Sequence, residues 1–107
     1  MDFNINVYTY YNNRLRLKYS NINESHDITI NLSDFYLEDG KVFLDPAIKN
    51  NGILHELIKK KIIKEISSSV NYNYVDIPIA TINLGVLSKY DLVGLKKHIS
   101  KVTRYGK

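Results

Sequence analysis

The side chains in this sequence suited to acid–base, nucleophilic or metal chemistry are three histidines, His26, His55 and His98, with scattered carboxylates and serines. No pair of them sits at a spacing that catalytic geometry would favour. The stretch HELIK, residues 55–59, opens like a zinc-protease helix, in which two histidines four positions apart share one helical face and hold the metal. Lys59 stands where the second histidine must be, so the ligand pair is missing. The acidic run SDFYLEDGKVFLD lacks the alternating oxygen ligands of a calcium loop, and its Asp and Gly residues are better explained as turn formers. No glycine-rich phosphate loop occurs. With no cysteine there is no disulfide framework, thiolate nucleophile or cysteine-ligated zinc. These residues predict a protein that is not an enzyme and holds no metal or cofactor.

Binding residues are more evident. In YTYYNNRLRLKY, residues 8–19, Tyr8, Tyr10 and Tyr11 are followed by Arg14, Arg16 and Lys18. Phe3, Ile5, Val7 and Thr9 alternate with polar or aromatic neighbours, and Leu15, Leu17 and Tyr19 alternate with the cations. This is the period-two pattern of two strands that each bury odd positions. A two-residue loop would pair odd with even positions. A three-residue loop of Tyr11, Asn12 and Asn13, with Asn13 left-handed in a bulge, pairs Val7 with Leu17 and Thr9 with Leu15. That register predicts Tyr10 across from Arg14 and Tyr8 across from Arg16, a wet face of rings and guanidiniums on which bases stack or a protein docks. Tyr72 and Tyr74 add further rigid, amphipathic contact area of the kind found in protein-binding surfaces, although AT-rich codons account for part of the tyrosine content. Lys97, Lys101 and Arg104 are expected to form a cationic line along the last helix.

The elements that must position these groups follow from periodicity. HDITINL predicts a third strand with Ile28, Ile30 and Leu32 inward, and KVFLD a short fourth one. A helix is expected over residues 53–66, with Leu54, Leu57, Ile58, Ile62 and Ile66 on one face and Lys59, Lys60 and Lys64 outside it; Lys61 and Glu65 intrude on the apolar stripe. SSSVNYNYVDIP predicts a loop, then a strand carrying Val70, Tyr72 and Tyr74, with Pro78 marking an edge or a break. IATINL predicts another strand. A second helix starts near Ser88 or Asp91 and presents Leu92, Leu95, Ile99 and Val102 to the core. The fold class expected is α+β, a single domain over 1–107 with a mainly antiparallel sheet of about five strands and two helices packed on one face. TINL occurs twice, at 29–32 and 81–84, but its flanks do not repeat.

A chain of 107 residues buries roughly 65% of its unfolded surface and can fold unaided. Residues 1–45 hold four cations and seven acids, net −3, whereas residues 46–107 hold eleven cations and four acids, net +7. At net +4 overall, wholesale imitation of DNA is disfavoured. No segment has the length and hydropathy of a signal peptide or membrane span, so a soluble, cytoplasmic protein with no membrane partner is expected.

The series YNNRL (11–15), ITINL (28–32), VFLD (42–45), NNGI (50–53), DIP (76–78) and LSKYD (87–91) resembles, in order and over nearly the whole chain, a family of short uncharacterised proteins of conjugative elements, plasmids and phages of Firmicutes. The chain departs from that pattern in SSSVNYNYVDIP, where the family has a Gly- and Ser-Gly-rich connection. The resemblance carries over no catalytic residue. It implies a mobile genetic element acting in a bacterial host cell. In that setting the expected role is an inhibitor of a host defence system, anti-CRISPR-like, that occupies a protein partner such as a CRISPR effector. The alternative is a single-stranded nucleic-acid-binding accessory protein, with the outer hairpin face and the basic last helix as its contacts.

Overall fold

The computed structural model describes residues 3–105, the side chains of 104 and 105 excepted. The chain is α+β, with two antiparallel sheets where the sequence predicts one. Strands β1 (Asn4–Thr9), β2 (Leu15–Ser20) and β3 (Ser25–Asp27) form the first sheet in the order β1-β2-β3. Strands β4 (Thr29–Ile30), β5 (Lys41–Leu44), β6 (Ile63–Tyr72) and β7 (Val75–Ile82) form the second, in the order β4-β5-β7-β6. Among the described residues three α-helices complete the fold: α1 (Ile53–Lys59), α2 (Leu84–Leu87) and α3 (Leu92–Tyr105). A 3-10 turn, Pro46–Lys49, precedes α1 and is capped by the Asp45 carboxylate.

The first hairpin follows the parity of its sequence. Ile5 pairs with Tyr19, Val7 with Leu17 and Thr9 with Leu15. Asn13 has φ 68°, its N–H donates to Tyr10 O at 2.9 Å, and Tyr10 N–H donates to Arg14 O at 2.8 Å, so the loop has the expected three residues. The odd-numbered face, Ile5, Val7, Leu15, Leu17 and Tyr19, is buried in the main core.

The third predicted strand is bent into two. Ile28 N–H donates to Leu17 O in the first sheet at 3.0 Å, and Ile28 O accepts from Asp45 N in the second at 2.8 Å. Ile28 enters the main core, while Ile30 and Leu32 join a smaller cluster with Phe43 and Ile77. The period of two breaks at Ile28 because one residue serves both sheets.

Helix α1 stops at Lys59, seven residues short of expectation. Lys61 N–H donates to Ile58 O at 3.0 Å and Ile62 N–H to Leu57 O at 3.0 Å, closing the helix with Lys61 left-handed at φ 65°. Glycine is the usual residue there, and an L side chain costs roughly 1–2 kcal/mol. Ile62 packs with Leu57 in the core, and the chain continues as β6. The Lys61 and Glu65 intrusions into the helical stripe mark this change of period. The expected loop at 67–69 is the middle of β6, in which Lys64 and Ser67 are unpaired bulge residues. Pro78 lies in β7 opposite Ser69, beyond the reach of β5, so the missing N–H breaks no ladder on that side.

The last helix is rotated from the expected stripe. Leu95 is buried, but Leu92 and Ile99 are 50% and 46% exposed, and the inward row is Gly94, Leu95, His98 and Val102. Gly94 sets this rotation, since a Cβ there would meet Val7 O at 2.6 Å. Asp91 holds the contact from both sides: Oδ1 accepts Gly94 N–H and caps α3, while Oδ2 accepts Val7 N–H on the free edge of β1, each at 2.9 Å. Gly94→Ala is expected to lower the urea midpoint. Overpacking of ~1–3 kcal/mol exceeds the ~1 kcal/mol of helix propensity that alanine gains. An unchanged or raised midpoint would contradict this packing.

Candidate binding surfaces

All the sequence-predicted site residues except Arg14 fall on three separate surfaces. On the outer face of the first hairpin, Tyr8 pairs with Arg16 as expected, and the Arg16 guanidinium lies 5.8 Å from the Tyr8 ring centre and 5.6 Å from that of Tyr10. Tyr10 is half-buried. Its hydroxyl meets the buried Thr29 Oγ1 at 2.9 Å, and burial raises its pKa above that of a free phenol. Asp27 on β3 faces the same cations, 3.8 Å from Arg16 and 3.9 Å from Lys18, and offsets their charge. Tyr11 stands exposed in the turn.

Arg14 does not join this face. Its guanidinium turns to the second cluster, donating to Leu32 O at 2.8 Å and to Phe35 O, 5.7 Å from the Phe43 ring centre. It clamps the segment after β4. Phe35 in turn meets Phe43 and Tyr72 edge-on, at 6.4 and 6.1 Å between centroids.

Tyr72 and Tyr74 belong to the β6–β7 hairpin, whose outer half runs past the core. From Glu65 to Asp76 every residue except Val70 is exposed. Tyr72 pairs with Val75, leaving a two-residue turn with φ 51° at Asn73 and 66° at Tyr74. Positive φ at both positions defines the tight hairpin turn that favours Asn-Gly. Asn73 satisfies the first position. Tyr74 occupies the glycine position, 99% exposed, at a cost of roughly 1–2 kcal/mol. Asn71 Nδ2 donates to Asp76 Oδ1 at 3.2 Å and fixes the tip. No cation occurs between Lys64 and Lys89, so this finger is neutral to acidic.

On α3, Lys97 and Lys101 are exposed, and the Arg104 side chain lies outside the described residues. Beside that helix a cleft of about 460 Å³ opens between α3, the first hairpin turn and the turn at Gly40; Leu37, Leu84, Ile99 and Val102 supply its apolar walls. His98 borders it, with Nδ1 2.8 Å from Thr9 Oγ1. The other histidines lie apart: His26 contacts Glu24 at 2.6 Å and His55 is exposed on α1. Among the described residues no helix is long and apolar enough to cross a membrane. Sequence reasoning missed the inward placing of His98 and the double role of Asp91. The YD that ends LSKYD, just ahead of an apolar-periodic run, is a cap signal that points to the latter.

No protein-family model, curated protein or solved structure matches the chain.

Two outcomes check this placement. Arg14→Ala is expected to cost ~2 kcal/mol in denaturant unfolding, because it removes charged hydrogen bonds to backbone carbonyls, whereas Arg16→Ala costs less than ~1 kcal/mol. Equal losses would contradict the division of roles. Burial, and then the nearby Lys101, lower the His98 pKa. The unfolded chain therefore binds the proton more readily, so stability is present above the free-histidine pKa and declines as pH falls through it toward the lower folded value. His98→Gln should flatten the loss of stability between about pH 7.5 and pH 5.5.

Proposed function

We propose that the protein is a non-enzymatic binding protein of a mobile genetic element that inhibits a host defence system through protein–protein contact, with a CRISPR effector as the target. The β6–β7 finger is the contact element. The observation that carries this reading is Tyr74, fully exposed in a left-handed conformation at the turn position where glycine is favoured. Strain at an exposed residue returns nothing to the core and is kept where a surface uses it. Tyrosine, asparagine and serine are the residues of adaptable protein-binding loops, and Tyr72, Asn73 and Tyr74 stand together at the tip. The absence of cations from the finger speaks for a protein surface over a phosphate backbone. The mobile-element setting rests on the resemblance of the motif series.

Tyr74→Gly separates the two roles of the residue. It relieves the strain, and after the ~0.4–1 kcal/mol that glycine adds to the freedom of the unfolded chain it is expected to leave stability unchanged or raised by up to ~1 kcal/mol. In cells whose CRISPR effector is programmed against an incoming plasmid, the wild-type protein is expected to restore transformation, and Tyr74→Gly to lose that effect. Binding to the purified effector should weaken by more than about tenfold, the scale of an interface tyrosine. Full protection by the variant, or none by the wild type, would overturn the proposal.

A further inference from the structure

Tyr74 has one counterpart. Among the described residues, the non-glycine positions with positive φ are Asn13, Asn73, Tyr74 and Lys61, and asparagine tolerates that conformation. Lys61 is therefore the second strained position. It lies in a strongly cationic segment of the chain. Residues 46–64 contain Lys49, Lys59, Lys60, Lys61 and Lys64 against Glu56 alone, a net +4 that equals the charge of the whole protein. All five lysines are exposed, and among the described residues none of them makes an ion pair or a side-chain hydrogen bond.

Ordinary structural roles account for part of this. Lysines in the last turn of α1 complement the helix carbonyls, which covers Lys59 and Lys60. A bulged lysine on an edge strand discourages stray pairing, which covers Lys64. Neither reason applies to Lys61, where glycine would close α1 without strain. Its position at the apex of the turn adds a cation to three others within six residues. We infer that this lysine knuckle, at the junction of α1 and β6, binds the phosphodiester backbone of nucleic acid. Residues 46–64 contain no Phe, Tyr or Trp, and His55 is their one imidazole, so the contact is chiefly with phosphates and largely independent of sequence. Lys61 and Tyr74 sit at opposite ends of β6, about 30 Å apart along the strand. A nucleic acid at one end leaves the finger free at the other.

The inference does not depend on the finger and is tested on the isolated protein. The probe is a fluorescein-labelled 20-base-pair DNA duplex of arbitrary sequence, followed by anisotropy over a salt series; the length is only a convenient size of about two helical turns. Wild-type protein is expected to bind at low salt, with the logarithm of affinity falling linearly with that of salt concentration. Lys61→Gly should raise the urea midpoint, or leave it unchanged, while weakening binding, a combination that a purely structural lysine does not give. Adding Lys59→Ala and Lys60→Ala should reduce affinity by more than about tenfold and flatten the salt slope by about one unit for each phosphate no longer neutralised. Lys97→Ala with Lys101→Ala is the control, and should retain most of the affinity. The inference is overturned by no binding at low salt, by Lys61→Gly binding as wild type, by equal weakening in the control, or by binding to phosphatidylglycerol vesicles without binding to DNA.

Discussion

The two sheets are joined through one buried dipeptide. Ile28 gives its N–H to the first sheet and its carbonyl to the second, and the Thr29 hydroxyl takes over where β3 ends, accepting Leu17 N–H at 3.2 Å. A buried N–H left without that oxygen costs about 1–3 kcal/mol, so the bend is held by satisfied polar groups as well as by the apolar contacts of Ile28. The bend turns one face of each sheet toward a shared core. It also directs the chain after β4 across the opposite face of the second sheet, where Leu32, Phe43 and Ile77 form their own cluster.

That second cluster connects the hairpin turn to the finger. Arg14 leaves the outer face of the first sheet to bind the carbonyls of Leu32 and Phe35, which seats the Phe35 ring against Phe43 and Tyr72. The strand end at Tyr72 is therefore held by aromatic packing, while Tyr74, two residues on in the turn, carries an exposed ring in a conformation that disfavours one. Rigidity below and strain above suit a preorganised contact, because little further ordering is needed on binding. The same distribution recurs at α1, where a well-packed closure through Leu57 and Ile62 holds Lys61 at a glycine position. Stability is concentrated in the core, and strain at two exposed side chains.

Where a single face is buried, the sequence was transparent. The odd-numbered rows of β1 and β2 determined the loop length, the left-handed Asn13 and the pairing of Tyr8 with Arg16. Legibility failed where two demands met in one residue. Ile28 serves two sheets, so its strand read as continuous. Ile62, Ile63 and Ile66 suit a helical stripe and a strand equally well, and only the intruding Lys61 and Glu65 hinted at the change. Gly94 rotates α3 by allowing its backbone against Val7, a close approach that hydrophobic spacing cannot encode. Arg14 and Arg16 have the same parity, yet a nearby pair of carbonyls draws one of them away. Tyr72 and Tyr74 were marked by residue type, but the strain at Tyr74 needed the backbone.

The central claim is that the finger tip, and not the ring-and-cation face of the first hairpin, meets the protein partner. Amide hydrogen exchange of the protein alone and in the presence of the proposed CRISPR effector measures this directly. Slowed exchange across residues 70–76, with residues 8–18 unchanged, is the predicted result. Slowing across 8–18 with the 70–76 amides unaltered would contradict it.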